Sequence, residues 1–467
     1  MQNLPTVALA LGMTCPAAGG KARPVFGIDG EDFTIDGVPT YQGMYWQGHR
    51  IEGLLFNSRM VQATFDDENP QTRDLWAYPD TGEYDADRNA DEFVDAMQAW
   101  REAGMLAVTL DLQGGGAIYT KPLPYDRYIN SAYDPQGKLK PDYMARLERI
   151  LDRAAELGMA VILGLAYFGI DHRYIETPDA AIAMTDELVD WLAERNYRHV
   201  LIEVANERTH ISTRAGDVEA LELMDRMRER SAAAYGDGFT LLCSTSLGGG
   251  QMHSDEYLRA MDYVLVHGNG CGPERHVQMI EEIRASEVWI ENPTPIVFNE
   301  SHTDVSALWA CAQNHASFGY FDQGTNDYHD GYQTPPVNWS INTDAKRRFF
   351  ELLRGIVAGE ATELPESPVY IRGFEGLPED GLVTGRIEVQ ALIDDRHAVR
   401  EVRFFIGDEH VNTERGYPYY LGGDERGEPH GFDTAQLAPG EHTLRIIVQS
   451  VGGSISEEQV VFTVADR

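Results

Sequence analysis

The chain has 467 residues, 43% of them hydrophobic, so it is long enough for two or three domains with well-packed cores. Its 75 acidic and 38 basic residues give a formal net charge of −37, and a field of that sign repels phosphate backbones and anionic lipid surfaces. We therefore expect no nucleic-acid or membrane-surface partner, and the sequence has no apolar run of about 18 residues that would span a membrane.

The first residues predict an exported protein. A short apolar segment, Leu4 to Met13, is followed by small residues up to Gly20, as at the end of an export signal, although no basic residue precedes it. We expect residues 1–24 to be a leader or a disordered N-terminus, and the protein to be periplasmic, cell-surface or secreted.

Residues 25–362 alternate between strand-like and helical segments. The hairpin at Phe33–Thr40, with its Asp-Gly turn, leads into a first strand predicted at Gly43–Trp46. Further strand candidates begin at Met105, Ala160, His199, Thr240, Tyr263, Pro295 and Phe318, each followed by a helix. Eight such units predict a parallel sheet that closes into a (β/α)8 TIM barrel. An open doubly wound sheet is the alternative, but the glycine-rich phosphate loop that usually follows its first strand is missing.

Three connections after predicted strands are far longer than usual: residues 47–89, 113–140 and 323–342. Because they follow strands, they are expected to meet at the carboxyl rim of the barrel, where such folds bind ligands. Their aromatic side chains predict a binding cleft there. These aromatic residues are Trp76, Tyr78, Tyr119, Tyr125, Tyr128, Tyr133, Tyr328, Tyr332 and Trp339.

Beyond a proline-rich linker at 362–368, the periodicity changes from helical to alternating. Residues 363–467 are therefore predicted to form an all-β sandwich of two sheets. The stretch Phe432 to Leu444 resembles the bacterial immunoglobulin-like modules that are attached to sugar-cleaving enzymes. That resemblance implies a spacer, a brace against the barrel, or a sugar-binding module. The predicted strands are Ile387–Ile393, Val399–Ile406, His442–Val448 and Gln459–Val464.

The dipeptide Asn-Glu stands at the ends of two predicted strands, as Asn206-Glu207 and as Asn299-Glu300. A carboxylate that ends an apolar strand lies near the core, where it needs a functional or structural reason. Two carboxyls across a barrel mouth can cleave a glycosidic bond: one donates a proton to the leaving oxygen and the other attacks the anomeric carbon.

An eight-fold barrel with Asn-Glu ending strand 4 and a glutamate ending strand 7 is similar to clan A of the retaining glycoside hydrolases. The resemblance covers roughly residues 25–360. It implies a retaining β-glycoside hydrolase that acts on a poly- or oligosaccharide by double displacement. Glu207 would be the acid/base, Glu300 the nucleophile and Asn206 a hydrogen-bond partner of the sugar 2-hydroxyl. The family commonly has a tryptophan at the end of strand 8, where this chain has Phe321-Asp322-Gln323.

Other strand-end side chains are placed to contact a sugar. His267, which ends strand 6, is a candidate partner of the nucleophile or of the sugar. The remaining candidates are Trp46, Tyr167, Gln113 and Gln323. A set of arginines in rim segments would favour an anionic sugar if it converged, but we interpret these residues as partners of neighbouring acids. They are Arg50, Arg59, Arg73, Arg127, Arg173 and Arg208.

No cofactor and no metal ion are expected. The four cysteines match no zinc pattern, and the 14 histidines form no pair of the kind that a barrel metallohydrolase needs. The run Asn326–Gly331 fails the spacing of the known calcium loop. Two alternatives stay open beside hydrolysis: a non-catalytic carbohydrate-binding protein on the same scaffold, and a transglycosylase that uses the same pair of glutamates.

Overall fold

The computed structural model describes residues 23–113, 128–167, 175, 177–210, 219–324, 328–425 and 427–465. Most of the predicted leader lies outside these residues, as do Tyr119, Tyr125, Arg127 and Arg173. No helix in the described part of the chain is both long enough and apolar enough to cross a bilayer.

Two small antiparallel sheets precede the barrel. They consist of β1 (Phe26–Asp29), β2 (Asp32–Ile35) and β3 (Val38–Pro39), followed by the hairpin β4 (Tyr45–Trp46) and β5 (His49–Arg50). The predicted Asp36-Gly37 turn joins β2 to β3, with both residues at positive φ (53° and 78°). The backbone of Phe26 donates to the carbonyl of Arg198, and the imidazole of His315 contacts the carbonyl of Arg50, so both sheets lie at the amino-terminal end of the barrel.

Eight parallel strands form the barrel, as predicted. They are β6 (Asn57–Arg59), β7 (Ala107–Asp111), β8 (Ala160–Gly164), β9 (Val200–Glu203), β10 (Leu242–Ser244), β11 (Val264–His267), β12 (Ile296–Glu300) and β13 (Gly319–Tyr320). Six pair in the order β10-β9-β8-β7-β6-β13, and β11 pairs with β12. Backbone hydrogen bonds close both seams, from Asp262 to Cys243 (3.0 Å) and from Phe298 to Ser317 (2.9 Å).

The helices surround the barrel, and capping residues mark several of their ends. Thr177 and Thr343 each accept a backbone N–H at a helix start, and Gly158 ends the helix Pro141–Leu157 in the left-handed conformation (φ 64°). The helices are α1 (Ala86–Glu102), α2 (Pro141–Leu157), α3 (Pro178–Glu194), α4 (Ala220–Tyr235), α5 (Asp255–Ala260), α6 (Pro273–Ala285), α7 (Glu287–Glu291), α8 (Ser306–Gln313) and α9 (Asp344–Val357).

The prediction of the first barrel strand at Gly43–Trp46 is wrong. That segment contributes to the β4-β5 hairpin, and the first barrel strand is Asn57–Arg59. Trp46 is fully buried against Trp309, with ring centroids 4.5 Å apart, at the end of the barrel opposite the predicted cleft. Its predicted contact with sugar is therefore also wrong. The first strand was misplaced because a short apolar run does not by itself distinguish a hairpin from a barrel strand.

Most of the loop aromatics are structural. Trp76, Tyr78 and Tyr128 pack with Phe65 and Tyr84 in a separate buried cluster. The ring of Tyr332 stacks on Trp339 inside the main core, with centroids 5.8 Å apart, and Tyr133 belongs to the same core. The prediction that these side chains line an open cleft is wrong for all of them, because they are buried in the main core or in this separate cluster.

The C-terminal part of the chain is an all-β module, defined here as strands β14 to β25. These are β14 (Ile371–Glu375), β15 (Leu382–Val383), β16 (Arg386–Ile387), β17 (Gln390–Ile393), β18 (Val399–Ile406), β19 (Glu409–Glu414), β20 (Tyr419–Tyr420), β21 (Asp424–Glu425), β22 (Glu428–Pro429), β23 (Phe432–Asp433), β24 (Gly440–Ser450) and β25 (Ile455–Val464). A five-stranded sheet, β15-β25-β24-β18-β19, shares one core with the sheet β14-β17-β20. Three of the four predicted strands are present as β18, β24 and β25, whereas the predicted strand Ile387–Ile393 is divided between β16 and β17, which belong to different sheets.

Gly319 in β13 is a close-packed position. A Cβ there would lie 2.5 Å from the carbonyl oxygen of Phe298 and 2.6 Å from the Cα of Asn299. Both neighbours are backbone atoms of β12, so the clash cannot be relieved by turning a side chain.

We expect Gly319→Ala to destabilise the barrel by about 2–4 kcal/mol, because overpacking against backbone displaces a strand. Urea unfolding followed by tryptophan fluorescence reports on the barrel, since all seven tryptophans precede the module. Gly416→Ala is the matched control, because no atom lies within 4 Å of its Cβ position. Equal unfolding midpoints for the two variants would contradict this account of the β12-β13 contact.

Candidate active site

The side chains that point into the barrel change from apolar to polar toward the carboxyl ends of the strands. Strand residues alternate between the inside and the outside of a barrel, so every second position continues the same inner column. The lower inner layer contains Leu55, Ala107, Ile162, Leu201, Leu265 and Val297. The upper inner layer contains Arg59, Asp111, Glu203, His267 and Asn299, all of them buried. The polar layer is thus set by the two-residue period of the same strands that form the core.

Glu300 enters this layer through a β-bulge. It follows Asn299 directly, so strict alternation would point it out of the barrel. The pairing of β11 with β12 skips one residue here, because Val266 pairs with Phe298 and His267 pairs with Glu300. A bulge of this kind redirects a side chain next to a functional site.

Both carboxylate oxygens of Glu300 are held by neighbouring donors. Arg59 Nε lies 2.9 Å from Oε2, and Asn269 Nδ2 donates to Oε1 at 2.8 Å. His267 Nδ1 lies 3.6 Å from Oε2. Burial raises the pKa of Glu300, while the positive charges of Arg59 and His267 oppose that rise. The carboxylate is therefore fixed in orientation and faces the barrel mouth.

Glu207 lies across the mouth from Glu300 in a strained conformation. Its φ of 46° is in the left-handed region, and such strain in a non-glycine residue concentrates at functional sites. Its backbone N–H donates to Ser246 Oγ at 2.9 Å. Tyr167 donates its hydroxyl to Oε2 at 3.3 Å, and His267 Nδ1 lies 3.4 Å from Oε1.

Glu207 and Glu300, called here the candidate catalytic pair, face each other closely. One carboxylate oxygen of each, together with a ring nitrogen of His267, lies within 4.8 Å of the others. Retaining glycosidases place their two carboxyls about 5–5.5 Å apart, whereas inverting enzymes need about 6.5–9.5 Å to admit a water molecule. The separation suits direct attack by one carboxylate on a sugar that is bound between them.

The same three residues are also a possible donor set for a metal ion. The guanidinium of Arg59, however, lies 2.9 Å from Glu300, and a bound cation would be repelled by this fixed positive charge. The charge arrangement therefore fits a carboxyl pair better than a metal centre.

Glu203 joins the two Asn-Glu segments beneath the candidate catalytic pair. Its fully buried carboxylate accepts from Asn299 Nδ2 at 3.0 Å and from the hydroxyl of Ser246. The Ser246 hydroxyl also lies 3.4 Å from Asn206 Oδ1, and Asn206 itself is buried. Strands β9 and β12 and the segment after β10 are thus tied by one buried hydrogen-bond network, which limits movement of the residues above it.

Asp111 and His267 complete the charge cluster. Burial raises the pKa of Asp111 to about 7, against the effect of Arg59, whose guanidinium lies 3.1 Å from Oδ2. Burial would lower the pKa of His267, but Glu300 and Glu207 raise it above its ordinary value. A cluster with more carboxyls than cations thus retains protons near neutral pH.

The structure brings together five of the residues that the sequence selects: Glu207, Glu300, Asn206, His267 and Tyr167. It does not bring Trp46, Gln113 or Gln323 to the candidate catalytic pair. Gln113 is fully buried, and its amide donates to Ser131 Oγ at 3.1 Å. Gln323 is buried after β13, and no described contact joins it to either glutamate.

Sequence reasoning missed Asp111, Glu203, Ser246 and Asn269. The first two interrupt apolar strands, the same signal that selects the candidate catalytic pair, so they could have been found. Ser246 and Asn269 lie in connections and carry no comparable signal. The interpretation of the selected arginines as partners of acids is confirmed for three of them: Arg50 pairs with Asp32, Arg73 with Asp66, and Arg59 with the central carboxylates. Arg50, however, lies in β5 at the amino-terminal end of the barrel and not at the rim.

The sequence matches the family model described as cellulase (glycosyl hydrolase family 5) over residues 88–230. The matched segment extends from α1 into α4 and includes Glu207 but not Glu300. The predicted resemblance to the clan A glycoside hydrolases is thereby confirmed. No protein with a curated description matches the chain.

Several solved structures are similar to this chain. The endo-β-1,4-mannanase of Thermotoga petrophila has 14% identity, with 92% of this chain and 100% of the other covered, at a TM-score of 0.41. A family 5 glycoside hydrolase of Bacteroides vulgatus has 12% identity, coverages of 85% and 91%, and a TM-score of 0.44. The family 5 mannosidase of Rhizomucor miehei has 12% identity, coverages of 72% and 98%, and a TM-score of 0.44.

Between about pH 4 and pH 7 we expect the wild type to become less stable as the pH rises. The variant Asp111→Asn should not show this loss of stability. The folded pKa is about 7, against 3.8 as the ordinary value, so over this range the unfolded chain has released the proton while the folded protein retains it. The wild type should therefore lose up to about 4 kcal/mol relative to the variant as the pH rises, and no more above pH 8.

Urea unfolding of both proteins at several pH values measures this difference. Asp225→Asn, at a side chain that is 77% exposed, is the control and should follow the wild type throughout. A stability difference between the wild type and Asp111→Asn that did not change with pH would contradict the raised pKa.

Proposed function

Taking the chain as a relative of the family 5 glycoside hydrolases, we propose that it is a retaining β-glycoside hydrolase that acts on a poly- or oligosaccharide. The observation that carries this proposal is the close approach of Glu207 and Glu300, within 4.8 Å, at the carboxyl mouth of a TIM barrel. The buried donors that fix each carboxylate add to it, because catalysis requires groups held in a productive geometry.

In the first step, a carboxylate oxygen of Glu300 attacks the anomeric carbon of the bound sugar and forms a glycosyl ester. The C–O bond to the leaving group breaks, and Glu207 transfers its proton to that oxygen. Asn269 and Arg59 orient Glu300 for the attack. Tyr167 and His267 do the same for the carboxyl of Glu207.

In the second step, Glu207 removes a proton from water as the water oxygen attacks the anomeric carbon. The ester bond to Glu300 breaks, and its carboxylate is restored. The negative charge of Glu300 favours a proton on Glu207 in the free enzyme. Esterification removes that charge, which allows Glu207 to change from acid to base.

Asn206 lies directly before the acid/base and is buried beside the network of Ser246. We propose that its amide binds the sugar 2-hydroxyl, where hydrogen bonds strengthen in the transition state. A protein that only binds sugar would have little need for the strained backbone of Glu207. This favours catalysis over the non-catalytic alternative.

Glu300→Gln should reduce hydrolysis by at least about 10³-fold, because the amide cannot form the ester intermediate. Sugar binding, measured by calorimetry, should be largely retained. The assay uses a panel of plant and marine β-linked polysaccharides that includes cellulose and mannan, with products analysed by size. Glu291→Gln, on an exposed helix end, is the control. A Glu300→Gln variant with the full wild-type rate would remove Glu300 from the mechanism.

The first product of hydrolysis should have the same β configuration as the substrate, because two displacements invert the anomeric carbon twice. Proton NMR of the reaction in its first minutes distinguishes the β-anomer from the α-anomer before mutarotation mixes them. If the α-anomer appeared first, the reaction would be a single displacement and the assignment of Glu300 as nucleophile would be wrong.

A further inference from the structure

The connections at the carboxyl rim of the barrel differ in length. Those that follow β6, β7 and β13 are long, whereas those that follow β10 and β11 are short. The long connections are residues 60–85, 112–140 and 321–343, and the short ones are residues 245–254 and 268–272. Strands β10 and β11 lie between β9, which leads to Glu207, and β12, which ends in Glu300. The rim is therefore low on the arc between the two members of the candidate catalytic pair.

The module borders the mouth beside β12. Thr303 donates its backbone N–H to Asp395 Oδ2 at 2.9 Å, and Gly452 donates its backbone N–H to Asp304 Oδ2 at 2.9 Å. Both barrel residues directly follow the carboxyl end of β12, so the module packs where the barrel itself has only a short connection. A substrate chain that extends out of the mouth consequently has most room across the segments after β10 and β11.

A rigid turn forms the rim after β10. We call residues 248–251, with the sequence Gly-Gly-Gly-Gln, the glycine turn. A backbone hydrogen bond of 3.1 Å joins its last residue to its first. Gly250 donates its backbone N–H to the carbonyl of His267 at 2.9 Å, and Arg275 Nη2 donates to the carbonyl of Gly250 at 2.6 Å. These bonds hold the turn against the end of β11 and the start of α6.

Gly248 faces the proposed acid/base. A Cβ on Gly248 would lie 3.8 Å from Glu207 Oε1 and 3.2 Å from Gln251 Nε2. The carboxylate and the amide therefore border one space, which exists because residue 248 has no side chain. A Cβ on Gly249 would lie 2.3 Å from the carbonyl oxygen of Asn269, whose side chain holds the proposed nucleophile. The glycine turn thus extends along the low arc from one glutamate toward the other.

The side chain of Gln251 is available to a ligand. It is exposed, and its amide makes no hydrogen bond to another residue in the described part of the chain. A primary amide offers both a donor and an acceptor, which suits the neighbouring hydroxyls of an uncharged sugar. The glycines beside it add no side chains, so a sugar ring can approach the amide and the backbone of the turn.

The position of Gln251 decides which part of the substrate it meets. In the proposed reaction the attacked sugar lies between the two carboxyls, and Glu207 protonates the oxygen of the departing unit. Gln251 borders the space next to Glu207 Oε1, on the low arc across which the substrate chain leaves the mouth. The departing unit is therefore the part of the substrate within reach of the amide.

We propose that the glycine turn forms the subsite for the sugar on the leaving-group side of the cleavage point. Gly248 provides the space beside Glu207, and Gln251 is the specificity-determining side chain that hydrogen-bonds this sugar. The inference rests on the proposed function.

The test compares two substrates: an oligosaccharide that the wild type cleaves, and the 4-nitrophenyl β-glycoside of the fragment that is attached to Glu300 in the proposed reaction. The second has no sugar on the leaving-group side. Gln251→Ala should lower the ratio of kcat/KM for the oligosaccharide to kcat/KM for the nitrophenyl glycoside about tenfold, as expected for one lost hydrogen bond. The change should lie in a higher KM for the oligosaccharide. Gln251→Asn, which keeps a donor and an acceptor, should recover part of the loss.

Gly248→Ala tests the open space independently of the amide. The backbone of Gly248 is outside the left-handed region, and the added methyl group would be in ordinary contact with Glu207, so the fold should tolerate it. The methyl group occupies the space beside Glu207 and displaces the amide of Gln251. We expect the same ratio to fall, again through a higher KM for the oligosaccharide.

Gln278→Ala is the matched control, since Gln278 is an exposed glutamine of α6. Thermal melting of each variant checks that the fold is intact. A wild-type ratio in Gln251→Ala would overturn the inference, and so would equal losses on both substrates. A loss confined to kcat would also overturn it, because Gln251 would then act on Glu207 instead of on the sugar. A failure of the proposed function is distinct, since the wild type would then cleave neither substrate.

Discussion

The buried guanidinium of Arg59 is the charge on which the rest of the site depends. Placing an unpaired cation inside a protein costs several kcal/mol, and this side chain is only 5% exposed. Its charge is compensated by Glu300 at 2.9 Å and Glu203 at 4.0 Å, and the guanidinium also contacts Asp111 at 3.1 Å. Burial would lower the pKa of Arg59, but these carboxylates raise it, so the group stays charged. This one side chain thus links the carboxyl ends of four barrel strands, β6, β7, β9 and β12.

The site combines several local features that are unfavourable on their own. Glu207 occupies a left-handed backbone conformation, β12 contains a bulge before Glu300, and Asp111 retains a proton in the cluster near neutral pH. The Ser246 hydroxyl supports the first of these, since it accepts the backbone N–H of Glu207, and it also donates to the carboxylate of Glu203. Strain and buried charge of this kind are retained where a function requires them, because stability alone would favour an apolar filling.

The fold was predictable because its signals are local. Alternation of strands and helices, the turn at Asp36-Gly37 and the two Asn-Glu dipeptides can all be read within a few residues. The first strand was misplaced because Gly43–Trp46 and the true strand look alike over so short a length. The positions of Gln113 and Gln323 depend on how long connections pack, and the contacts of Asn269 and Ser246 form between distant parts of the chain. No single-sequence pattern reports such contacts.

The way the module packs on the barrel limits which other modules could replace it. At Gly452 a Cβ would lie 2.5 Å from Ser306 Oγ and would clash with the carboxylate of Asp304, so only glycine allows the loop to approach the barrel. Attachments joined by a free tether can be exchanged among unrelated enzymes. Here a chimera with a foreign sandwich would need the same glycine and the same carboxylate acceptors, so the two parts are expected to be inherited as a single unit.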